Sequence, residues 1–240
     1  MDGVPHPETK EIITKDRLDV GGLGRAGFVL KTGGNLGDLW TQADLVRDSN
    51  GKIYVDENGN VQPNFNADDI YLGSVFPKSN VSWRNDLSWK NIHFNFMLAA
   101  RFGGVVFSGT QAALDFYGVS EATADARDRG YVTINGEDRI SPYAWYSTIG
   151  ASGGISQYYT YSATNVRLQE LSVGYSIPKS KLWNVADLTI SLVGRNLWMI
   201  YNKAPFDPES VASTGNYFQG MDNFIMPSLR SVGLNLKVNF

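Results

Sequence analysis

The last ten residues of the chain, 231–240, alternate strictly between polar and apolar side chains. The odd positions are polar or glycine, and the even positions are Val232, Leu234, Leu236, Val238 and Phe240. A period of two predicts a β-strand with one apolar face and one wet face. The length exceeds a typical soluble strand and matches the roughly 9–11 residues that cross a bilayer at a tilt. The pattern fits either the closing strand of a membrane β-barrel or an edge strand of a soluble sandwich.

Similar alternation recurs upstream and predicts an all-β chain. The long predicted strands cover 80–89, 92–102, 166–177 and 187–198. The first two form a hairpin around Lys90-Asn91, and the alternation in the third changes phase near Gln169-Glu170. A shorter strand is predicted over Gly27–Lys31, which brings the predicted strands to about six with the terminal one.

The lengths of the connections favour the barrel over the sandwich. Antiparallel pairing places the connections 41–78, 103–165 and 199–229 on one side, and all three are long. The connections Lys90-Asn91 and 178–186 fall on the other side, and both are short. Long outer loops and short periplasmic turns characterise outer-membrane barrels. Within the longest connection, a short helix is predicted near Glu121–Asp128.

Composition and motifs exclude several classes of function. A net charge of −3 argues against nucleic-acid binding, and the lack of cysteine excludes disulfides and thiolate sites. No window of 18 apolar residues predicts a transmembrane helix. The only histidines, His6 and His93, assemble no catalytic motif, and the loop carboxylates Asp207 and Glu209 are a poor acid–base pair. The sequence therefore predicts no enzyme.

One short segment resembles the start of a calcium loop. Asp56-Glu57-Asn58-Gly59-Asn60 places oxygen-bearing side chains at alternate positions. However, Val61 stands where a calcium loop needs glycine, and Ala67 stands where it needs glutamate. The segment therefore predicts a type I′ hairpin turn, with calcium in an outer loop as the alternative. No other cofactor is expected.

Several motifs together resemble the end of the SusC/RagA family of TonB-linked outer-membrane transporters. The matching C-terminal segments are Leu168–Pro178, Gly194–Trp198, Phe206–Glu209, Pro227–Arg230 and Gly233–Leu236 with the final Phe240. Upstream segments that resemble the family are Phe76–Lys78, Trp89–Asn91 and Arg101–Gly104. Pro205 departs from the family pattern, which more often has glycine there. The resemblance covers about residues 70–240 and leaves 1–70 outside it.

The resemblance implies a transmembrane barrel of about 22 strands, filled by an N-terminal plug. Residues 1–240 would supply about its last six strands and the long extracellular loops, without the plug and the earlier strands. Such a protein sits as a multi-pass barrel in the bilayer of the outer membrane of a Gram-negative, Bacteroidetes-like cell. It imports oligosaccharides, other glycans or peptides with a SusD-like surface lipoprotein, and its missing N-terminal part contacts the TonB complex.

The terminal strand acquires a second expected role from the same resemblance. Barrel-assembly machinery would recognise Val232, Leu234, Leu236, Val238 and Phe240. The alternative from another functional class is a soluble all-β carbohydrate-binding module. In that module a set of loop aromatics would stack on sugars, namely Tyr143, Trp145, Tyr146, Tyr158, Tyr159 and Tyr161.

Overall fold

A computed structural model describes residues 4–5, 12–13, 17–211, 215 and 218–240. His6 and most of the N-terminal segment lie outside the described residues. The chain divides into two compact units. The loop unit comprises Met1–Phe76, Val105–Tyr161 and Val211–Ile225, and the sheet unit comprises Pro77–Gly104, Ser162–Ser210 and Met226–Phe240.

Strands dominate both units, as the alternation predicts. The strands are β1 (Val4–Pro5), β2 (Ile12–Ile13), β3 (Arg17–Leu23), β4 (Ala26–Lys31), β5 (Asp38–Thr41), β6 (Asp44–Leu45), β7 (Pro63–Asn64), β8 (Ile70–Ser74), β9 (Ser79–Trp89), β10 (Ile92–Phe102), β11 (Val105–Ser108), β12 (Val132–Ile134), β13 (Asp138–Ile140), β14 (Thr160–Ser162), β15 (Asn165–Ile177), β16 (Asp187–Asn202), β17 (Met221–Asp222) and β18 (Ser231–Asn239). The α-helices are α1 (Gly109–Phe116), α2 (Glu121–Arg129) and α3 (Pro142–Ile149). Among the described residues, no helix combines the length and apolar character needed to cross a bilayer.

The sheet unit is built on one five-stranded antiparallel sheet in the order β18-β16-β15-β10-β9. All four long upstream strands and the terminal strand predicted from the sequence belong to it. The sheet contains five of the about six strands expected from the sequence. The strand predicted over Gly27–Lys31 does form, as β4, but it pairs with β3 and β5 in a separate sheet of the loop unit.

The register of the five strands separates the side chains into two faces. One cross-strand row joins apolar residues of every strand, in the order Leu87, Phe94, Val173, Leu192 and Leu234. The next row along the strands is mostly polar and joins Asp86, Asn95, Ser172, Val193 and Gly233. Because directly paired residues of neighbouring strands share a face, the whole sheet has one apolar face and one largely polar face.

A β-bulge keeps the two faces intact in β15. Met97 pairs with Glu170 and Leu98 pairs with Leu168, so Gln169 has no partner on β10. The extra residue reverses the parity of β15 and returns Leu168 to the apolar face, where Leu171 also lies. The phase change predicted near Gln169-Glu170 is confirmed and has this physical origin.

The loop unit has a hydrophobic core of its own, drawn from its three chain segments. Val75, Phe107 and Met221 come from different segments and are at most 2% exposed. β11 pairs in parallel with β17, and the Phe107 amide donates to the Gly220 carbonyl at 2.9 Å. Gly220 has a φ of 72°, and a side chain there would meet Val75 at 2.6 Å. The long connections are thus a folded unit with helices and sheets.

Local capping explains the helices of the loop unit. The Ser108 side chain accepts from the Gln111 amide at the start of α1, and Ser120 accepts from the Thr123 amide at the start of α2. Gly130 ends α2 in the left-handed conformation. The helix predicted near Glu121–Asp128 is therefore confirmed, one residue longer at its end.

The turn type predicted at Asn58-Gly59 is wrong. The Asp56 carbonyl accepts from the Gly59 amide at 3.0 Å, and Gly59 has a φ of 78°. Asn58 is not among the residues with a positive φ, whereas a type I′ turn needs positive φ at both central positions. The Asp56 side chain accepts from the amides of Asn58 and Asn60 and so stabilises a type I turn that glycine follows.

Candidate functional site

The apolar face of the five-stranded sheet is extensively exposed. Its most exposed strand is β18, where Val232 is 70% and Leu234 is 66% exposed, and Phe240 beyond the strand is 97% exposed. Leu236 and Val238 lie on the same face, so the five residues predicted as an assembly signal are exposed apolar groups. Exposed apolar surface continuous over several strands marks contact with a partner or with lipid.

A chain of hydrogen bonds crosses the polar face. Ser88 Oγ lies 3.1 Å from His93 Nδ1, and His93 Nε2 lies 2.8 Å from Ser176 Oγ. Ser176 Oγ lies 2.9 Å from Thr189 Oγ1. The chain therefore joins β9, β10, β15 and β16 through side chains in addition to their backbone ladder. His93 lies on the polar face and contacts hydroxyl groups at both ring nitrogens.

Arg167 brings together two of the motif segments that the sequence singles out. Its Nη2 lies 2.8 Å from Asp207 Oδ1 and 3.3 Å from Glu209 Oε2. Its Nη1 lies 3.5 Å from Ser228 Oγ, and Ser228 also donates to Asp207. The segments Phe206–Glu209 and Pro227–Arg230 thus meet at the start of β15. This set (Arg167, Asp207, Glu209 and Ser228) is called the Arg167 cluster.

Burial gives the Arg167 cluster its electrostatic character. The side chains of Arg167 and Asp207 are only 6% and 8% exposed, whereas that of Glu209 is 41% exposed. Burial by itself raises the pKa of Asp207, but hydrogen bonds from Ser228 and Arg167 outweigh it and hold this pKa below its ordinary value. Asp207 is therefore a structural anion held by Arg167 and Ser228.

A cavity of the loop unit lies between α1, α2 and α3 and is called the helical cleft. Its volume is about 620 Å³. Side chains that line it include Asp115, Phe116, Tyr117, Arg127, Tyr143 and Tyr146. Tyr143 is 83% exposed and Tyr117 is 76% exposed, so aromatic rings stand at its open side. A cavity of this size with a few polar groups is typical of a small-molecule site.

The loop aromatics expected to stack on sugars do not share one surface. Trp145 and Tyr159 are buried in the core of the loop unit, and Trp145 packs edge-to-face on Tyr158 at 5.2 Å. Burial raises the pKa of Tyr161 to about 12. Only Tyr143 and Tyr146 of that set line the helical cleft. The aromatic composition of this segment therefore reflects core packing more than ligand stacking.

Calcium in an outer loop stays a prediction. Within the described part of the chain, no three His, Asp or Glu residues stand close enough together to hold a metal ion. The Asp56 carboxylate is engaged by backbone amides, and the bond from Asn60 lowers its pKa.

Known proteins are similar to this chain in sequence and in fold. No protein-family model matches it. The chain is 28% identical over 214 residues to TonB-dependent receptor P3 of Formosa agariphila, with 85% of this chain covered. It is 29% identical over 206 residues to TonB-dependent receptor P26 of the same organism, with 79% covered. The chain is a relative of TonB-dependent receptors. The resemblance found in its motifs is confirmed.

Solved structures agree with the relation to TonB-dependent receptors at the level of the fold. Structures of the RagAB peptide importer superpose with TM-scores of 0.56 in a closed-closed state and 0.57 in an open-open state. Sequence identity is 17% in both, and 90% and 86% of this chain are covered. The chain spans only about a fifth of the receptors' length, with 21% of P3 and 20% of P26 covered.

Sequence reasoning missed the residues that organise these sites. Arg167 gave no signal beyond an interruption of the alternation next to Gln169-Glu170, where β15 also changes register against β16. Asp115 lies in a helix of the loop unit that was not predicted. Ser176 and Thr189 lie within predicted strands, but nothing in the sequence spacing predicts that Ser176 contacts both His93 and Thr189.

Proposed function

We propose that this chain forms part of the barrel wall of an outer-membrane TonB-dependent transporter. The carrying observation is the apolar row Leu87, Phe94, Val173, Leu192 and Leu234, which runs without interruption across all five strands of the sheet unit. In this proposal the apolar face contacts lipid, and the polar face with the Ser88–His93–Ser176–Thr189 chain lines the lumen. Alternation of lipid-facing and lumen-facing residues is the rule for such barrels.

In this proposal the long connections between the strands of the sheet face the cell exterior, because the long loops of such barrels lie on the outer side. A part of the receptor outside this chain contacts the TonB complex, and a SusD-like lipoprotein assists uptake of oligosaccharides or peptides. RagAB is described as a peptide importer. Because this chain resembles it in fold, we include peptides among the proposed cargo.

A soluble carbohydrate-binding module is the weaker candidate. A soluble protein would leave Val232, Leu234 and their neighbours in water, at a cost of roughly 25 cal/mol per Å² of apolar surface. The separation of the loop aromatics between core and cleft also removes the shared stacking surface that this candidate needs.

The chain lacks cysteine, so single cysteines report the environment of each face directly. Val173→Cys and Ser172→Cys probe adjacent positions on opposite faces of the central strand β15. Each variant of the membrane-embedded receptor carries a nitroxide label, and collision rates with oxygen and with a water-soluble nickel chelate are measured. We expect the label at 173 to prefer oxygen and the label at 172 to prefer the chelate.

Two results would contradict the membrane proposal. Equal access of the chelate to the labels at 172 and 173 would show that β15 has no lipid-facing side. Recovery of the protein in the soluble fraction without detergent would favour the soluble module. The transport part is tested separately by uptake of labelled peptides and oligosaccharides, with and without a functional TonB protein. Uptake that does not depend on TonB would reject energised import.

A further inference from the structure

Asp115 is a buried carboxylate in the wall of the helical cleft. The residue is only 6% exposed, and its Oδ1 accepts from Gln111 Nε2 at 2.9 Å. Among the described residues, no lysine, arginine or histidine lies within ion-pair distance of it. A buried anion without a counter-charge is costly, and such groups are normally paired. The cleft therefore offers a binding site for a cation, because the Asp115 carboxylate supplies the opposite charge.

The phenols nearest to Asp115 are neutral and do not balance its negative charge. Burial raises the pKa of the phenols of Tyr146 and Tyr159, and the negative charge of Asp115 raises these values further. Both phenols therefore stay neutral near Asp115 at physiological pH. The carboxylate consequently lies among neutral polar groups, Gln111 included.

Aromatic rings line the same cleft as Asp115. Phe116 and Tyr117 pack edge-to-face at 5.1 Å, and Tyr143 lines the cleft with most of its ring exposed. Ammonium groups bind favourably over the faces of such rings, and the attraction grows as water is excluded. Aromatic rings and a buried carboxylate in one cavity together favour a positively charged group over a neutral one.

A cationic side chain, that of Arg127, also lines this cleft. Arg127 is exposed, and its Nη1 donates to the Gly118 carbonyl at 2.7 Å. This contact fixes the guanidinium while using only one of its donor nitrogens, and the others suit a carboxylate. Asp115 and Arg127 are not an ion pair with each other, so the cleft presents separate negative and positive groups.

We propose that the helical cleft binds a short zwitterionic peptide, with its ammonium group at Asp115 and its carboxylate at Arg127. The rings of Tyr117 and Tyr143 enclose the bound ligand. A neutral oligosaccharide would stack on the same rings but would leave Asp115 without a counter-charge. As a statement about cargo this rests on the proposed import function, whereas the binding itself does not require transport.

The test uses trialanine, N-acetyl-trialanine, trialanine amide and the disaccharide cellobiose as probes. Each is titrated calorimetrically into the purified full-length receptor that carries these residues. We expect trialanine to bind, and acetylation and amidation each to weaken binding by about tenfold or more, since each removes one charge-assisted contact. Equal affinity for acetylated and free peptide, tighter binding of cellobiose, or no binding of trialanine would each overturn the proposal.

Matched variants assign the effect to the cleft. Asp115→Asn should abolish the preference for free over acetylated peptide, while Asp128→Asn, an exposed change outside the cleft, should retain it. Tyr143→Ala should weaken trialanine binding, and the exposed control Tyr54→Ala should not. If Asp115→Asn fails to fold, the comparison of the four probes on the unmodified receptor still tests the proposal. The titration measures binding alone, so loss of uptake in cells does not affect its outcome.

Discussion

Asp207 accepts a hydrogen bond of 2.8 Å from the guanidinium of Arg167, a residue 40 positions earlier in the chain. Both side chains are more than nine-tenths buried. The contact joins the loop after β16 to the start of β15, and Ser228 ties the segment before β18 to the same carboxylate. A buried ion pair of this kind stabilises only as long as both charges are present.

Removal of Asp207 should therefore be strongly destabilising. Asp207→Ala leaves the Arg167 charge buried with only the half-exposed Glu209 as an ionic partner, and we expect a loss of about 3–5 kcal/mol. Glu209→Ala serves as the control and should cost about 0–1 kcal/mol, since exposed pairs contribute little. Denaturant unfolding of the detergent-solubilised receptor measures both. Equal losses for the two variants would contradict the assigned roles.

The same carboxylate predicts a dependence of stability on pH. The pKa of Asp207 is lower in the folded protein than its ordinary value of about 3.9. Its contribution is therefore complete above that ordinary pKa and is lost as the pH falls through the lower folded value. Asp207→Asn should remove this part of the acid sensitivity. The free energy of unfolding at pH 7, 4 and 3 is compared for both proteins, and identical pH profiles would refute the prediction.

The loss of stability caused by a new charge on β18 should depend on the face that carries the charge. Leu234→Lys puts an ammonium on the apolar face, and we expect about 2–4 kcal/mol of destabilisation if the site lies near the bilayer midplane. Asn235→Lys adds the same charge on the polar face and should cost far less. Refolding into lipid vesicles with urea titration measures the two values. A larger cost at 235 than at 234 would reverse the assignment of the faces.

The exposed end of the chain should matter for assembly more than for packing. Phe240 is 97% exposed, so Phe240→Ala removes almost no packed surface from the sheet unit. If barrel-assembly machinery recognises the terminal strand, this variant should lower the amount of folded receptor in the outer membrane. Phe224→Ala, another exposed phenylalanine, is the control. Unchanged surface levels of the Phe240 variant would argue against the assembly role.

The 240-residue chain by itself should neither transport nor fold stably in a bilayer. The outer strands β9 and β18 leave two unpaired edges, and backbone groups without partners in lipid cost several kcal/mol each. The five strands also fall short of the eight that make the smallest usual barrels. Refolding in lipid followed by heated and unheated gel electrophoresis tests this. A heat-modifiable, protease-resistant monomer would disprove it.

The local sequence pattern is sufficient to predict the strands of the sheet unit. The alternation over 231–240 predicts β18, and the phase change near Gln169-Glu170 predicts the bulge of β15. Both follow from the two-residue period of a strand, in which one extra residue reverses the parity of all that follow. The motifs of residues 70–240 likewise indicate the relation to TonB-dependent receptors from sequence alone.

Only the tertiary structure decided which long-range partners these elements have. The strand over Gly27–Lys31 has the same local pattern as the others, yet it belongs to the loop unit because β3 and β5 pair with it. Arg167 meets Asp207 and Ser228, and Asp115 comes to line a cleft with Tyr143, across separations that no local period encodes. Sequence determined the faces of each strand because side-chain direction is a local property. Packing decided the sites because burial depends on the whole chain.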